Sequence, residues 1–371
     1  MIPFFDLQRV LQKHTQKLTT VFRECLDGAQ FINGPPVTTF EQQLASYLNV
    51  SHAIGVSSGT DALTAIFMAL SLELNRADCL IHGAKILVTP FTFAASATSI
   101  TRAGLRPAFV DLAKDSFYPS VDQYAAAITS KTKGILAVHL FGEPANLTEL
   151  KEFCKVKKLF LVEDCAQAMG TKWNDQHVGS IGDAAAYSFF PAKNLGCFGD
   201  GGAVTTNNEE LAEKVRMIKS HGSKIKYTHE ILGGNFRLDT IQAAILSVLL
   251  PELGGWIKKR TENAEYYSKA LKGIEQLKLP THVPGHSWNQ YTIRTSRRDR
   301  LKEWLDNHKI GNAIYYPYPL HRQKVFNSQH FLPEVEKRCK NVLSLPIYPG
   351  LKRKEQDFII NKIEEFFKRD K

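Results

Sequence analysis

Between residues 52 and 206 short apolar runs alternate with helix-like segments, a pattern that few folds accommodate. The runs are HAIGVSS (52–58), KILVTP (85–90), PAFVDL (107–112), GILAVHL (134–140), LFLVED (159–164), AAAYSFF (184–190) and GAVTT (202–206). Several are apolar without alternation, as a strand must be when helices rather than water meet both of its faces. Helical patterns such as TDALTAIFMAL and NLTELKEFCKV lie between them. The alternation predicts an α/β fold built on a large, mostly parallel seven-stranded sheet flanked by helices.

After residue 208 longer helical patterns take over: NEELAEKVRMIKSH, RLDTIQAAILSVLL and WIKKRTENAEYYSKALKGI. A Pro/Gly-rich break, LPTHVPGHS (279–287), precedes QYTIRT, which reads as a strand, and helices near 298–308 and 353–368. The last helix sets Ile359, Ile360, Ile363, Phe366 and Phe367 on one face. The expected organisation is a large α/β domain over 1–250 and a smaller α+β domain over 251–371, with residues 1–30 beside the latter. NRADCLIHGAKI (75–86) is long for a turn between helix and strand and reads as a surface insertion.

Composition narrows the function. A net charge of +10 invites an anionic partner. The basic residues are mostly mixed with acids, however, and only Arg294 to Arg300 and the C-terminal tail are locally basic. No helix-turn-helix, RNA-recognition or zinc-finger pattern is present, so nucleic acid is not an expected partner. A phosphate-rich small substrate accounts for the charge as well. The six cysteines are scattered without a CxxC pair or Cys/His cluster, which argues for free thiols and against a metal site. No run approaches the roughly 18 apolar residues of a membrane span. The N-terminus lacks the basic start and apolar stretch of a secretion signal, so the expected address is cytoplasmic.

Ligands of open α/β sheets bind at the carboxyl ends of the strands. There Ser57-Ser58-Gly59-Thr60-Asp61 opens a helix. Small residues at a helix start offer free N–H groups to an anion, although a plain cap by Thr60 or Asp61 needs no ligand. The segment is neither a Walker A loop nor a GxGxxG fingerprint, and Gly199-Asp200-Gly201-Gly202 precedes a strand rather than a helix. ATP and nicotinamide chemistry are therefore poorly supported. Glu163-Asp164 ends a buried strand, where a carboxylate needs a cation or a cap. A salt bridge would serve, and so would the protonated ring nitrogen of pyridoxal phosphate. Finally, YSFFPAKNLGCFGDGGAV (187–204) sets Lys193 among Phe189, Phe190, Leu195, Phe198 and glycines. Loop lysines are ordinarily solvated, but a drier setting lowers the pKa and frees a neutral amine for Schiff-base chemistry. Anion cup, acid and lysine on one sheet edge converge on pyridoxal 5′-phosphate.

At these residues the chain resembles the DegT/StrS-type sugar aminotransferases, within the fold type I pyridoxal phosphate enzymes. The likeness runs from about residue 3 to 367, through SSGTDAL (57–63), TPFTF (89–93), VEDCAQA (162–168), SFFPAKNLGCFGDGGA (188–203), GNFRLDTIQAA (234–244) and YYPYPLH (315–321). The resemblance implies that Lys193 bonds to the cofactor and carries protons, while Asp164 pairs with the pyridine nitrogen. It places Gln167 near the ring's phenolic oxygen and Gly59, Thr60 and Ser188 on the phosphate. Phe91 or Phe93 would stack on the ring, with Phe91 the expected partner. Asn235 would reach a phosphate from a second subunit, with Arg237 near the substrate, giving a homodimer with shared sites. Tyr315, Tyr316 and His321 fall in a substrate-facing loop, although similar enzymes often carry histidine where Tyr315 stands. The implied reaction transfers nitrogen from an amino acid, L-glutamate by expectation, to C3 of a UDP- or dTDP-linked 3-keto hexose, in polysaccharide or lipopolysaccharide sugar biosynthesis. C4 amination of a 4-keto-6-deoxy sugar is the runner-up. A sugar dehydratase is the rival class, disfavoured because such relatives carry histidine in place of the lysine.

Overall fold

The computed structural model describes residues 1–75 and 83–369. Of the expected insertion at 75–86, residues 76–82 lie outside the described residues. A seven-stranded sheet carries the strands in the order 52–56, 202–206, 184–188, 160–164, 132–138, 85–88 and 106–109. Gly202–Thr206 runs antiparallel to both neighbours, and the other pairings are parallel.

The unbroken apolar runs have a simple origin. Strand residues alternate in direction, and here both directions are buried. Ile54, Val56, Ile86, Val88, Leu136, Val138, Val162, Ala184 and Ala186 enter one core. Ala53, Leu87, Ile135, Ala137, Leu161, Ala185 and Tyr187 enter the other. Helices Gly59–Asn75, Ala94–Arg102 and Glu209–Ile218 contribute to the first core, and Pro35–Leu48, Leu147–Lys157 and Thr240–Leu249 to the second. The alanines at 184 and 186 leave room for the 59–75 helix to lie against their strand. Most of the apolar runs continue two or three residues past the strand ends, because Val110, Leu112, Leu140 and Phe189 stay buried in the loops that follow.

A third core joins Ile2 to residues of the C-terminal part, including Tyr267, Trp288, Ile293, Leu305 and Leu343. The expected strand at Tyr291–Arg294 pairs antiparallel with Val342–Leu345, which the sequence reading missed together with the helix Pro333–Asn341. The last helix, Arg353–Arg369, buries Ile359, Ile360, Ile363, Phe366 and Phe367 in this core. Part of the locally basic segment turns inward. Arg298 donates to the carbonyls of Cys339 and Val342, and Arg294 to Asp115.

The stretch Thr240–Leu271 is long and apolar enough to resemble a membrane-crossing helix, which the sequence reading passed over. It is interrupted by a 3-10 turn at Leu250–Glu252 containing Pro251. Ala243, Ile245, Leu246, Leu249 and Leu253 are spent in the core beside the sheet.

Candidate active site

A cavity of about 460 Å³ opens where the strands 52–56, 85–88, 132–138, 160–164 and 184–188 end. Lys193 projects into it from the loop after the 184–188 strand. Among the described residues its amine has no hydrogen-bond or ion-pair partner. Burial pulls its pKa down to about 8, against the opposing attraction of Asp164. An amine so placed is neutral in an appreciable fraction near neutrality.

Asp164 and Glu163 lie on opposite faces of their strand, so the pair divides its work. Asp164 faces the cavity. Its Oδ2 accepts from Ser96 Oγ at 2.6 Å and its Oδ1 from the Ala166 N–H at 3.1 Å. Glu163 points the other way, fully buried, and accepts from the backbone N–H groups of Gly179, Ile181 and Gly182. His139 Nδ1 accepts from the Ala145 N–H, which leaves the proton on Nε2 to donate to Glu163 at 3.0 Å. Burial by itself would raise the Glu163 pKa, but His139 and the backbone amides hold it below the ordinary carboxylate range. Cys165 lies within 4.8 Å of this pair, the spacing of a metal cluster. Both His139 nitrogens and both Glu163 oxygens are already bonded, however, and burial pushes the thiol pKa well up. The trio is a closed core network.

The helix Gly59–Asn75 begins at the cavity, where Ser58 Oγ accepts from the Asp61 N–H at 3.0 Å and, among the described residues, the N–H groups of Gly59 and Thr60 are left without a partner. Ser188 ends the adjoining strand, and a Cβ at Gly59 would lie 2.8 Å from the Ser188 Cβ. Only glycine lets the helix start and the serine approach this closely. Ser58, Gly59, Thr60 and Ser188 thus form one polar cup. Gln167 is fixed by the Phe141 N–H donating to its Oε1 at 2.8 Å, so its amide nitrogen donates to the Tyr316 hydroxyl at 3.1 Å. Tyr315 and Tyr316 form the wall near it.

Two expectations need correction. Phe91 is 0% exposed, stacked on Phe117 and set edge-on to Phe141, and does not line the cavity. Phe93, 59% exposed, lines it instead, because the Phe91 side chain fills the core under the loop. His321 is also fully buried and outside the cavity. It turns toward Glu336 at 3.4 Å, while the preceding Leu320 N–H ties the loop to the Pro90 carbonyl. Asn235 and Arg237 lie outside the cavity of their own chain. Asn235 is exposed, on a segment paired with Ser220 and Val56.

The sequence reading missed Thr92, Ser96, His139, Asn289 and Gln290, all of which line the cavity. Ser96 was legible only as a helix-start hydroxyl. Asn289 and Gln290 sit in WNQY, just before a recognised strand, at a distance along the chain that no spacing rule bridges.

The model of the DegT/DnrJ/EryC1/StrS aminotransferase family matches residues 12–364. The chain belongs to that family. It is a pyridoxal phosphate-dependent aminotransferase of fold type I. It is 41% identical to a protein of Geobacillus stearothermophilus named a pleiotropic regulatory protein, covering 99% of both chains. It is 40% identical to the UDP-N-acetyl-3-dehydro-alpha-D-glucosamine 3-aminotransferase of Acidithiobacillus ferrooxidans, over 96% of this chain and 95% of that one. Among solved structures, DesV of S. venezuelae in complex with a ketimine intermediate superposes with a TM-score of 0.93 at 35% identity, covering 99% and 98%. The cavity suits the family's cofactor: an unpartnered amine, a carboxylate with free lone pairs, a cup at a helix start and an exposed phenyl ring all face one space.

Proposed function

We propose that this aminotransferase moves an amino group from L-glutamate to C3 of a UDP- or dTDP-linked 3-keto hexose. The observation that carries the reading is the wall of the cavity. Phe93, Tyr315 and Tyr316 offer aromatic surface, and Gln167, Asn289 and Gln290 offer amides. Such a wall suits a pyranose, whose C–H faces pack on rings and whose hydroxyls bond to amides. The name of the Acidithiobacillus relative, a 3-aminotransferase of a UDP-linked keto sugar, supports C3.

Bound pyridoxal phosphate would supply an electron sink that makes the C–H beside the transferred nitrogen acidic. Lys193, with its pKa near 8, would hold and return that proton at Nζ. Asp164 would face the ring nitrogen, Gly59, Thr60 and Ser188 the phosphate, Gln167 the phenolic oxygen and Phe93 the ring face. Tyr315 and Tyr316 would border the sugar.

Among the described residues lining the cavity, Lys193 is the only lysine or arginine. A nucleotide diphosphate and a dicarboxylic donor ask for more positive charge than that. The reading is therefore a homodimer in which the second copy brings Asn235 and Arg237. The Arg237 Nε is buried without a partner within its own chain, in keeping with a role across an interface. UDP-, dTDP- and GDP-linked 3-keto and 4-keto sugars, each supplied with glutamate, test the substrate. A 3-amino product supports the proposal; a 4-amino product, or deoxygenation without an amino donor, overturns it. Mixing inactive Lys193→Ala and Asn235→Ala subunits tests the shared site, and absence of rescue despite subunit exchange rejects it.

A further inference from the structure

The helix Ala94–Arg102 carries several side-chain hydroxyls, and one of them behaves differently. Thr98, Ser99 and Thr101 donate to the carbonyls of Ala94, Ala95 and Ala97, four residues back, the usual habit of hydroxyls inside helices. Ser96 instead leaves its helix to meet Asp164 Oδ2 at 2.6 Å. Its oxygen lies 2.8 Å from Thr92 Oγ1. Both hydroxyl residues are buried, and both line the cavity.

We infer that Thr92 and Ser96 are positioning residues that fix the Asp164 carboxylate and aim it into the cavity. The inference rests on reading Asp164 as the partner of the cofactor's ring nitrogen. An ionised carboxylate only accepts, so the single Ser96 proton is committed to Asp164. At the Thr92–Ser96 contact Thr92 must then be the donor. The result is a directed chain, Thr92 to Ser96 to Asp164, buried where each hydrogen bond is stronger than in water. It ends on Oδ2, while the Ala166 N–H occupies Oδ1. Each carboxylate oxygen keeps acceptor capacity for a donor in the cavity. Thr92 adjoins Phe93, so one short loop sets both the aromatic wall and the aim of the acid.

The test uses purified holoenzyme of Ser96→Ala, Ser96→Thr, Thr92→Val and Asp164→Asn. The pH midpoint of the visible absorbance band of bound pyridoxal phosphate is measured beside kcat and KM. An acid no longer held against the ring nitrogen lets that nitrogen lose its proton, and the nitrogen shared with Lys193 then protonates more readily. Ser96→Ala should raise the midpoint by about half a pH unit or more and lower kcat roughly tenfold, with KM for the donor nearly unchanged. Ser96→Thr should restore both values, and Thr92→Val should move the midpoint the same way by less. A merely structural hydroxyl would leave the midpoint in place. A shift with Asp164→Asn but none with Ser96→Ala overturns the inference alone. No shift with Asp164→Asn overturns the reading of Asp164 and the inference with it.

Discussion

Replacing Lys193 by methionine should make the cofactor-free protein more stable at neutral pH while abolishing its activity. An ordinary lysine titrates near 10.5, and burial brings Lys193 to about 8. That displacement corresponds to about 3 kcal/mol of penalty for keeping the amine charged in the folded state. Below pH 8 the penalty is borne in full. Between 8 and 10.5 the unfolded chain still holds a proton that the folded chain has released, so stability rises with pH across this window. Methionine matches the length of the lysine stem without the charge. The gain is reduced because Asp164 loses a nearby cation, although it keeps the Ser96 and Ala166 donors. Solvent reaching the half-buried side chain reduces it further, leaving about 1–3 kcal/mol at pH 7. Denaturant unfolding of cofactor-free wild type and Lys193→Met at pH 7 and at intervals up to 10 measures the gap. It should shrink steadily above pH 8. A variant less stable than wild type at pH 7, or a gap that ignores pH, would refute the reasoning. The same pKa gives an independent check in wild type. Covalent capture of pyridoxal phosphate should quicken about tenfold per pH unit up to 8 and then level off.

Two further outcomes follow from where side chains point. Phe93→Ala should weaken pyridoxal phosphate binding with little loss of stability, whereas Phe91→Ala should lose about 3–5 kcal/mol of stability; cofactor titration and chemical unfolding separate the two. Glu163→Gln places an amide where a carboxylate meets four N–H donors. It should destabilise the fold by about 3–5 kcal/mol in denaturant unfolding, with His139→Gln in the same background adding less than it does alone.

Much of the site was legible because its parts sit at fixed places relative to regular elements. Asp164 closes a strand, Gly59 opens a helix, and Lys193 stands in a glycine-rich loop crowded with apolar residues. The misses share a cause. In TPFTF two phenylalanines stand two residues apart, and nothing in the sequence says which ring the loop turns inward. The space beside Phe117 and Phe141 settles that. Ser96 was obscured by its neighbours, whose hydroxyls satisfy themselves within the helix. His321 was expected to face the substrate from its loop, but the tie of the Leu320 N–H to the Pro90 carbonyl and the contact with Glu336 draw it under the surface.

The sequence by itself determined that two-sided strands would alternate with helices, and that an acid and a lysine would meet at their carboxyl ends. Backbone periodicity dictates which face a strand residue takes, and the pattern of apolar residues reports it directly. Only the tertiary structure decided which phenyl ring, which hydroxyl and which amides face the cavity. Those choices depend on contacts between segments far apart in the chain, such as Ser96 with Asp164 and Gln167 with Tyr316, and loop backbone follows no period that would foretell them.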